Sequence, residues 1–157
     1  MRFRACLLIC GAALLVAACF LRRSGDQVVP LPADSRLYYD DGPAFTDSTR
    51  RVIRDAAEWR EVWEQATSTQ SDTVALPDVD FRREMVLVVA AGRATPGDQI
   101  QVDSVGARGK EFVAVVRIMS ECRRFSGAVY PLVIVRVRRS ERPVTFVERR
   151  ERSGECS

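Results

Sequence analysis

The sequence predicts an α+β domain: one antiparallel β-sheet with a tryptophan-bearing α-helix packed on it. Three observations lead there. Trp59, Val62, Trp63 and Ala66 recur at i, i+3, i+4 and i+7, the spacing of one buried helical stripe. Met85-Val86-Leu87-Val88-Val89-Ala90-Ala91 is a continuous apolar run stopped by Gly92, the pattern of a central strand. Four further strand candidates follow, at Gln99 to Val105, Glu111 to Met119, Tyr130 to Val137 and Val144 to Val147. The links between them are too short for crossover helices, so consecutive strands are expected to pair antiparallel.

Taken in order, the chain opens with a segment that does not belong to that domain. Arg2 and Arg4 precede an uncharged stretch over residues 5–18 rich in Leu, Ala and Ile, and Ala17 and Ala18 sit just before Cys19. This is the layout of an export signal. Its 14 residues would span about 21 Å as a helix, short of the roughly 30 Å hydrocarbon core. Leu15-Val16-Ala17-Ala18-Cys19 resembles the bacterial lipobox. The resemblance implies that Cys19 receives diacylglycerol and, with palmitate among its acyl chains, becomes the lipidated first residue of the mature lipoprotein. Each buried methylene of such chains contributes about 0.8 kcal/mol of membrane attachment. The alternative is an uncleaved anchor, because the uncharged run continues through Phe20 and Leu21 to Arg22. Phe20 rather than Asp follows the cysteine, so in a host with an outer membrane the usual inner-membrane retention signal is missing.

The expected layout is a lipoprotein signal peptide over residues 1–18, a lipidated start and flexible tether over 19–35, and the α+β domain over 36–157. The tether is expected from its polar composition, Pro30 and Pro32, and its lack of apolar periodicity. Tyr38-Tyr39 forms a short strand whose rings take opposite faces, as a binding feature or as a plain edge strand, and Asp40-Asp41-Gly42-Pro43 reads as a turn. Arg50 to Arg54 leads into the helix, where Asp55 is the N-cap and Glu58, three positions on, completes a capping-box pattern. The two indoles then face the core rather than a cleft, while Arg60 and Glu64 lie on the opposite face. Residues 67–78, rich in Thr, Ser and Asp, form a loop containing Pro77.

Composition limits the chemistry. The 157 residues contain no histidine, which rules out a Ser-His-Asp triad, a Cys-His dyad, a zinc site with a His ligand and an imidazole switch within this chain. The formal net charge of +3 includes Arg2 and Arg4. Without them it is about +1, which is not a nucleic-acid-binding balance. Of the 24 basic residues only Lys110 is a lysine, and it lies in a Gly109-Lys110-Glu111 turn, a solvated position rather than half of a Ser-Lys dyad. No cofactor or metal site is expected. Of five cysteines, Cys6 and Cys10 leave with the signal and Cys19 is acylated. Cys122 and Cys156 remain, and in an oxidising compartment they are expected to form a disulfide. Closing that loop of about 35 residues would contribute about 3 to 4 kcal/mol in the chain-entropy account. Two unpaired thiols or a bond to another chain are the alternatives.

Alternation puts Val133, Val135 and Val137 on one face of a strand and Ile134, Arg136 and Arg138 on the other. With Arg139, Arg142, Arg149, Arg150 and Arg152 the last third is basic, either for an anionic partner or as a solvated face compensated by Glu141, Glu148, Glu151 and Glu155. Asp80 is expected to order a turn through backbone N–H groups, since no second carboxylate is placed to complete a mechanism.

The order of motifs is recognisable. Glu58-Trp59-Arg60-Glu61-Val62-Trp63 is followed by Val79-Asp80-Phe81, Met85-Val86-Leu87, Gly92, Pro96-Gly97, Tyr130-Pro131 and Pro143-Val144-Thr145-Phe146. Over roughly residues 50–150 this resembles the PrcB-type C-terminal domain of bacterial envelope lipoproteins, named after an accessory subunit of a surface protease complex. The sequence departs from that pattern in having Pro96-Gly97-Asp98 where a Gly-Gly-aromatic turn is common. The resemblance implies an exported, non-catalytic module, not an enzyme, that associates with an envelope protein, a secreted protease in the founding case, without implying a protease partner for this chain. Partner contacts are expected at Gly92, Arg93, Thr95, Gly97 and Asp98, and the membrane is reached through the lipid. The rival expectation is an extracytoplasmic module for peptide, glycan or lipid, using exposed sheet edges or the same loop.

Overall fold

The structure is a computed structural model that describes residues 27–122 and 126–153. The expected signal peptide and Cys19 lie outside the described residues, as does Cys156. In order, the chain forms β1 (Val28–Pro30), a 3-10 turn (Ala33–Ser35), β2 (Arg36–Asp40), β3 (Ser48–Ile53), α1 (Ala56–Thr67), β4 (Glu84–Ala91), β5 (Gln99–Arg108), β6 (Glu111–Glu121), β7 (Leu132–Arg138) and β8 (Val144–Ser153).

The fold is mixed α+β with the tryptophan helix on a sheet, but the single antiparallel sheet expected from the short links is corrected. There are two four-stranded sheets, ordered β1-β5-β6-β8 and β2-β7-β4-β3, and β6 pairs with β8 in parallel. The physical reason is that a short link can cross between sheets as well as turn within one. β7 lies in the other sheet and so serves as the return between the parallel strands, the part usually played by a helix. Only β3 with β4 and β5 with β6 are both consecutive and paired.

The sheets stack face to face, and the helix covers the outer face of β2-β7-β4-β3. β4 therefore alternates between two cores. Met85, Leu87 and Val89 pack against Ile100, Phe112, Ala114 and Val116 of the opposing sheet. Val86, Val88 and Ala90 meet Trp59, Val62, Trp63 and Ala66 of α1. The apolar run has no polar position because it has no solvent face.

The helix begins as its sequence requires. Asp55 accepts the N–H groups of Ala57 at 3.0 Å and Glu58 at 2.9 Å, a cap contributing about 1 kcal/mol. Glu58 does not complete the capping box but takes Arg51 Nε at 2.8 Å. The two indoles lie 5.2 Å apart, and Tyr38 stands edge-on to Trp63 at the same centroid distance. Their N–H groups donate to the carbonyls of Pro77 and Val74, each at 3.1 Å. The polar loop before β4 is thus tied to the helix by buried donors that need a partner.

The strand β1 falls within the stretch 19–35 expected as a tether. Val28–Pro30 pairs with Ser104–Gly106 of β5, and the Leu31 N–H donates to the Asp103 carbonyl at 2.8 Å. Gly106 permits this approach, because a Cβ there would stand 1.9 Å from the Gln27 carbonyl oxygen. Pro30 and Pro32 carry no N–H to continue the ladder, and the chain turns away to the other sheet.

Gly106→Ala is expected to detach β1 while the remainder stays folded. In residue-resolved hydrogen exchange the Leu31 amide would lose its protection and the amides of β4 would keep theirs. Unchanged protection at Leu31 would contradict this account of the edge.

Candidate functional site

The two sides of the sandwich differ. On one side the edge strands β3 and β8 are joined through Arg50, whose guanidinium donates to the carbonyls of Thr49 at 2.7 Å and Ala90 at 2.6 Å and to Glu148 Oε1 at 2.5 Å. Burial pushes the Glu148 carboxyl up, but the hydrogen bond and charge of Arg50, helped by Arg150, outweigh it and hold the group below its usual value. That side is shut.

On the other side β2 and the first half of β5 are both edges, and no strand joins them among the described residues. The pairing of β1 stops at Ser104, so among the described residues Gln99–Val102 has only β6 as a neighbouring strand. Between the two edges lies a cleft of about 480 Å³, within the range of small-ligand sites. Its floor is Ile100, Val102, Val133 and Val135, and one end is lined by Leu31, Pro32 and Ala33, where the chain crosses between sheets.

The cleft's rim is polar. Tyr39, 39% exposed, donates its hydroxyl to Asp41 Oδ1 at 2.9 Å. Its phenol is pushed up to about 12, first by burial and then by Asp41. Tyr38 faces the helix instead, so the two rings take opposite faces as the alternation requires. Asp103 is neutralised by Arg117, with each carboxylate oxygen 3.1 Å from Nε, and accepts Gln101 Nε2 at 2.6 Å. The residue Arg36, at the end where the chain crosses, pairs with Val135 through its backbone, while its side chain is exposed and makes no hydrogen bond or ion pair with any described residue.

The loop expected to contact a partner is braced from within. Gly92 is buried at φ 73°, and a Cβ there would lie 2.7 Å from the Ser48 nitrogen. Asp98 accepts the N–H groups of Thr95 at 3.0 Å and Glu121 at 2.9 Å, joining the start of β5 to the end of β6. Ala94 bridges Val129. Gly97 packs on Glu121, and Arg93 is the member of this set that offers an exposed side chain. The loop holds a sheet crossing in place, and the cleft lies elsewhere.

Other candidates resolve into structure. Asp80 accepts the Arg82 N–H at 3.0 Å, and that bond and the Arg82 guanidinium hold its carboxyl below the usual value. The basic last third is compensated through Arg136 with Glu84, Arg139 with Glu141, and Arg150 with Glu148. Arg139 also donates to the carbonyls of Arg54 and Phe81. Cys122 is disulfide-bonded, with its partner outside the described residues. Among those residues there is no group of His, Cys, Asp and Glu that could hold a metal ion, and no helix long and apolar enough to cross a membrane.

Sequence reasoning missed the cleft. Arg36, Gln99 and Gln101 carry no motif, and their meeting depends on a strand order that local periodicity does not report. The available signal was Pro30-Leu31-Pro32, which ends an edge strand early and leaves its neighbour bare. The chain matches no family model, no curated protein and no solved structure.

A phenol whose folded pKa lies above its unfolded value near 10.0 favours folding fully below that value, and the contribution is lost as pH rises from about 10 to about 12. Phenolate absorbance should therefore show a step near pH 12 that Tyr39→Phe removes, and the variant's stability should fall less steeply over that interval. A wild-type step for this residue at pH 10 would contradict the burial described.

Proposed function

We propose that this protein is a lipid-anchored, non-catalytic module of the cell envelope that takes an extended segment of another envelope protein into the open seam between its sheets. The observation that carries the reading is the pairing of two free strand edges with an apolar floor. An added strand would satisfy edge N–H and C=O groups and lay alternate side chains onto Ile100, Val102, Val133 and Val135, the recognition mode in which backbone bonds give affinity and pockets give specificity. The lipobox-like Leu15 to Cys19 run supports the anchor, and the motif order resembling the PrcB-type domain supports an accessory role, with a secreted protease as one kind of partner.

The disulfide belongs to the same picture. Parallel pairing in register from Phe112 with Val144 to Glu121 with Ser153 places the end of β6, where Cys122 follows, beside the end of β8. Cys156 is the proposed partner of Cys122. It would fasten the edge strand β8 to β6 in an oxidising compartment.

Two measurements test these points. Intact mass of the membrane-extracted protein is expected to show acyl chains on Cys19 that Cys19→Ser abolishes, and non-reducing peptide mapping to link Cys122 with Cys156. An unmodified Cys19, or free thiols on both other cysteines, would remove the corresponding claim. For the seam, a photoreactive residue at Gln99 in the full lipidated chain should trap a discrete envelope protein that the same group at Lys110, in the exposed turn, does not trap. Identical patterns from both positions would count against the seam as the binding site.

A further inference from the structure

The seam has a direction, and the charge in its lining that has no partner among the described residues sits at the end where the chain crosses between the sheets. β5 runs from Gln99 towards Asp103, whose carbonyl meets the Leu31 N–H, and β2 starts from that same end at Arg36. The chain crosses from one sheet to the other at that end, and Leu31, Pro32 and Ala33 line the cleft there, so a strand lying in it would meet the crossing. The charges present differ in availability. Asp103 already has Arg117 as its partner, and the Tyr39 hydroxyl is engaged by Asp41. Arg36, exposed and without a partner among the described residues, can donate in a bidentate fork to a planar carboxylate.

Building on the strand-capture reading, we infer that the seam recognises the free C-terminus of a polypeptide: the terminal carboxylate pairs with Arg36, and the last apolar side chain rests on the valines of the floor. This polarity follows from the charge. An occupant ending in its carboxylate at the crossing runs antiparallel to β2, the pairing that β2 already makes with β7 on its other side. The reverse orientation would put an ammonium group beside Arg36. A side-chain carboxylate in mid-chain would require the backbone to continue into the crossing.

The test uses the full lipidated chain in nanodiscs and two pools of eight-residue peptides randomised at their last four positions, one with free C-terminal acids and one with C-terminal amides. The acid pool is expected to be retained about tenfold over the amide pool, the scale of one charge-assisted contact, with Val, Ile and Leu enriched at the final position. Arg36→Gln should lower acid retention to the amide level, while Lys110→Gln should leave the acid preference intact, and matched melting temperatures establish that both variants fold. Equal retention of acid and amide pools by the wild type would overturn the inference and leave strand capture standing. Retention of neither pool would overturn both. Full displacement of the acid pool by decanoate, with no enrichment at the final position, would make the seam an acyl-chain site and overturn the peptide assignment.

Discussion

Everything in this fold depends on one sheet being buried on both faces. From Met85 to Ala90, consecutive residues of β4 have no exposed surface, and each aliphatic side chain so buried stabilises the fold by about 1.5 to 3 kcal/mol. A strand of that kind needs a layer on either side. α1 supplies one and the β1-β5-β6-β8 sheet the other, so the chain must cross between sheets at several links. The bracing described above is concentrated at those crossings: Asp98 between β4 and β5, Arg139 between β7 and β8, and the prolines between β1 and β2.

A sandwich built this way has two long sides, and this one treats them differently. β8 is an exposed edge, but residues 148–152 are all charged and all exposed, which discourages pairing with a further strand. Arg50 and Glu148 seal the gap behind it. Among the described residues no ion pair bridges the two edges of the opposite side, and its floor is aliphatic. That contrast within one molecule, rather than any single residue, is what singles out the cleft as the surface open to an added strand.

How far the sequence disclosed this can be argued from particular residues. Asp55, Trp59 and Trp63 determine their helix through local hydrogen bonding and 3.6-residue periodicity, and both were legible. Met85 to Ala91 announced a central strand without saying what lay on its two faces. The partition into two sheets was hidden, because the link after β6 reads the same whether the chain turns back within a sheet or steps across to another. β1 was hidden for a different reason: three residues are too few for a period, and Pro30 and Pro32 read as tether although they also serve to end a strand. The role proposed for Arg36 emerges only once β2 and β5 are placed on the same side of the sandwich.

The account stands or falls on whether the outer edge of Gln99–Val102 is free. In a strand with a neighbour on one side only, alternate amides face that neighbour and the others face outwards. Residue-resolved hydrogen exchange on the purified full chain measures this without any ligand. The account predicts alternation across Gln99–Val102, with amides bonded to β6 protected like those of β4 and the intervening ones exchanging at least about a hundredfold faster. Uniform protection through all four residues would mean that the edge is already covered, and that no strand-accepting seam exists on this side of the protein.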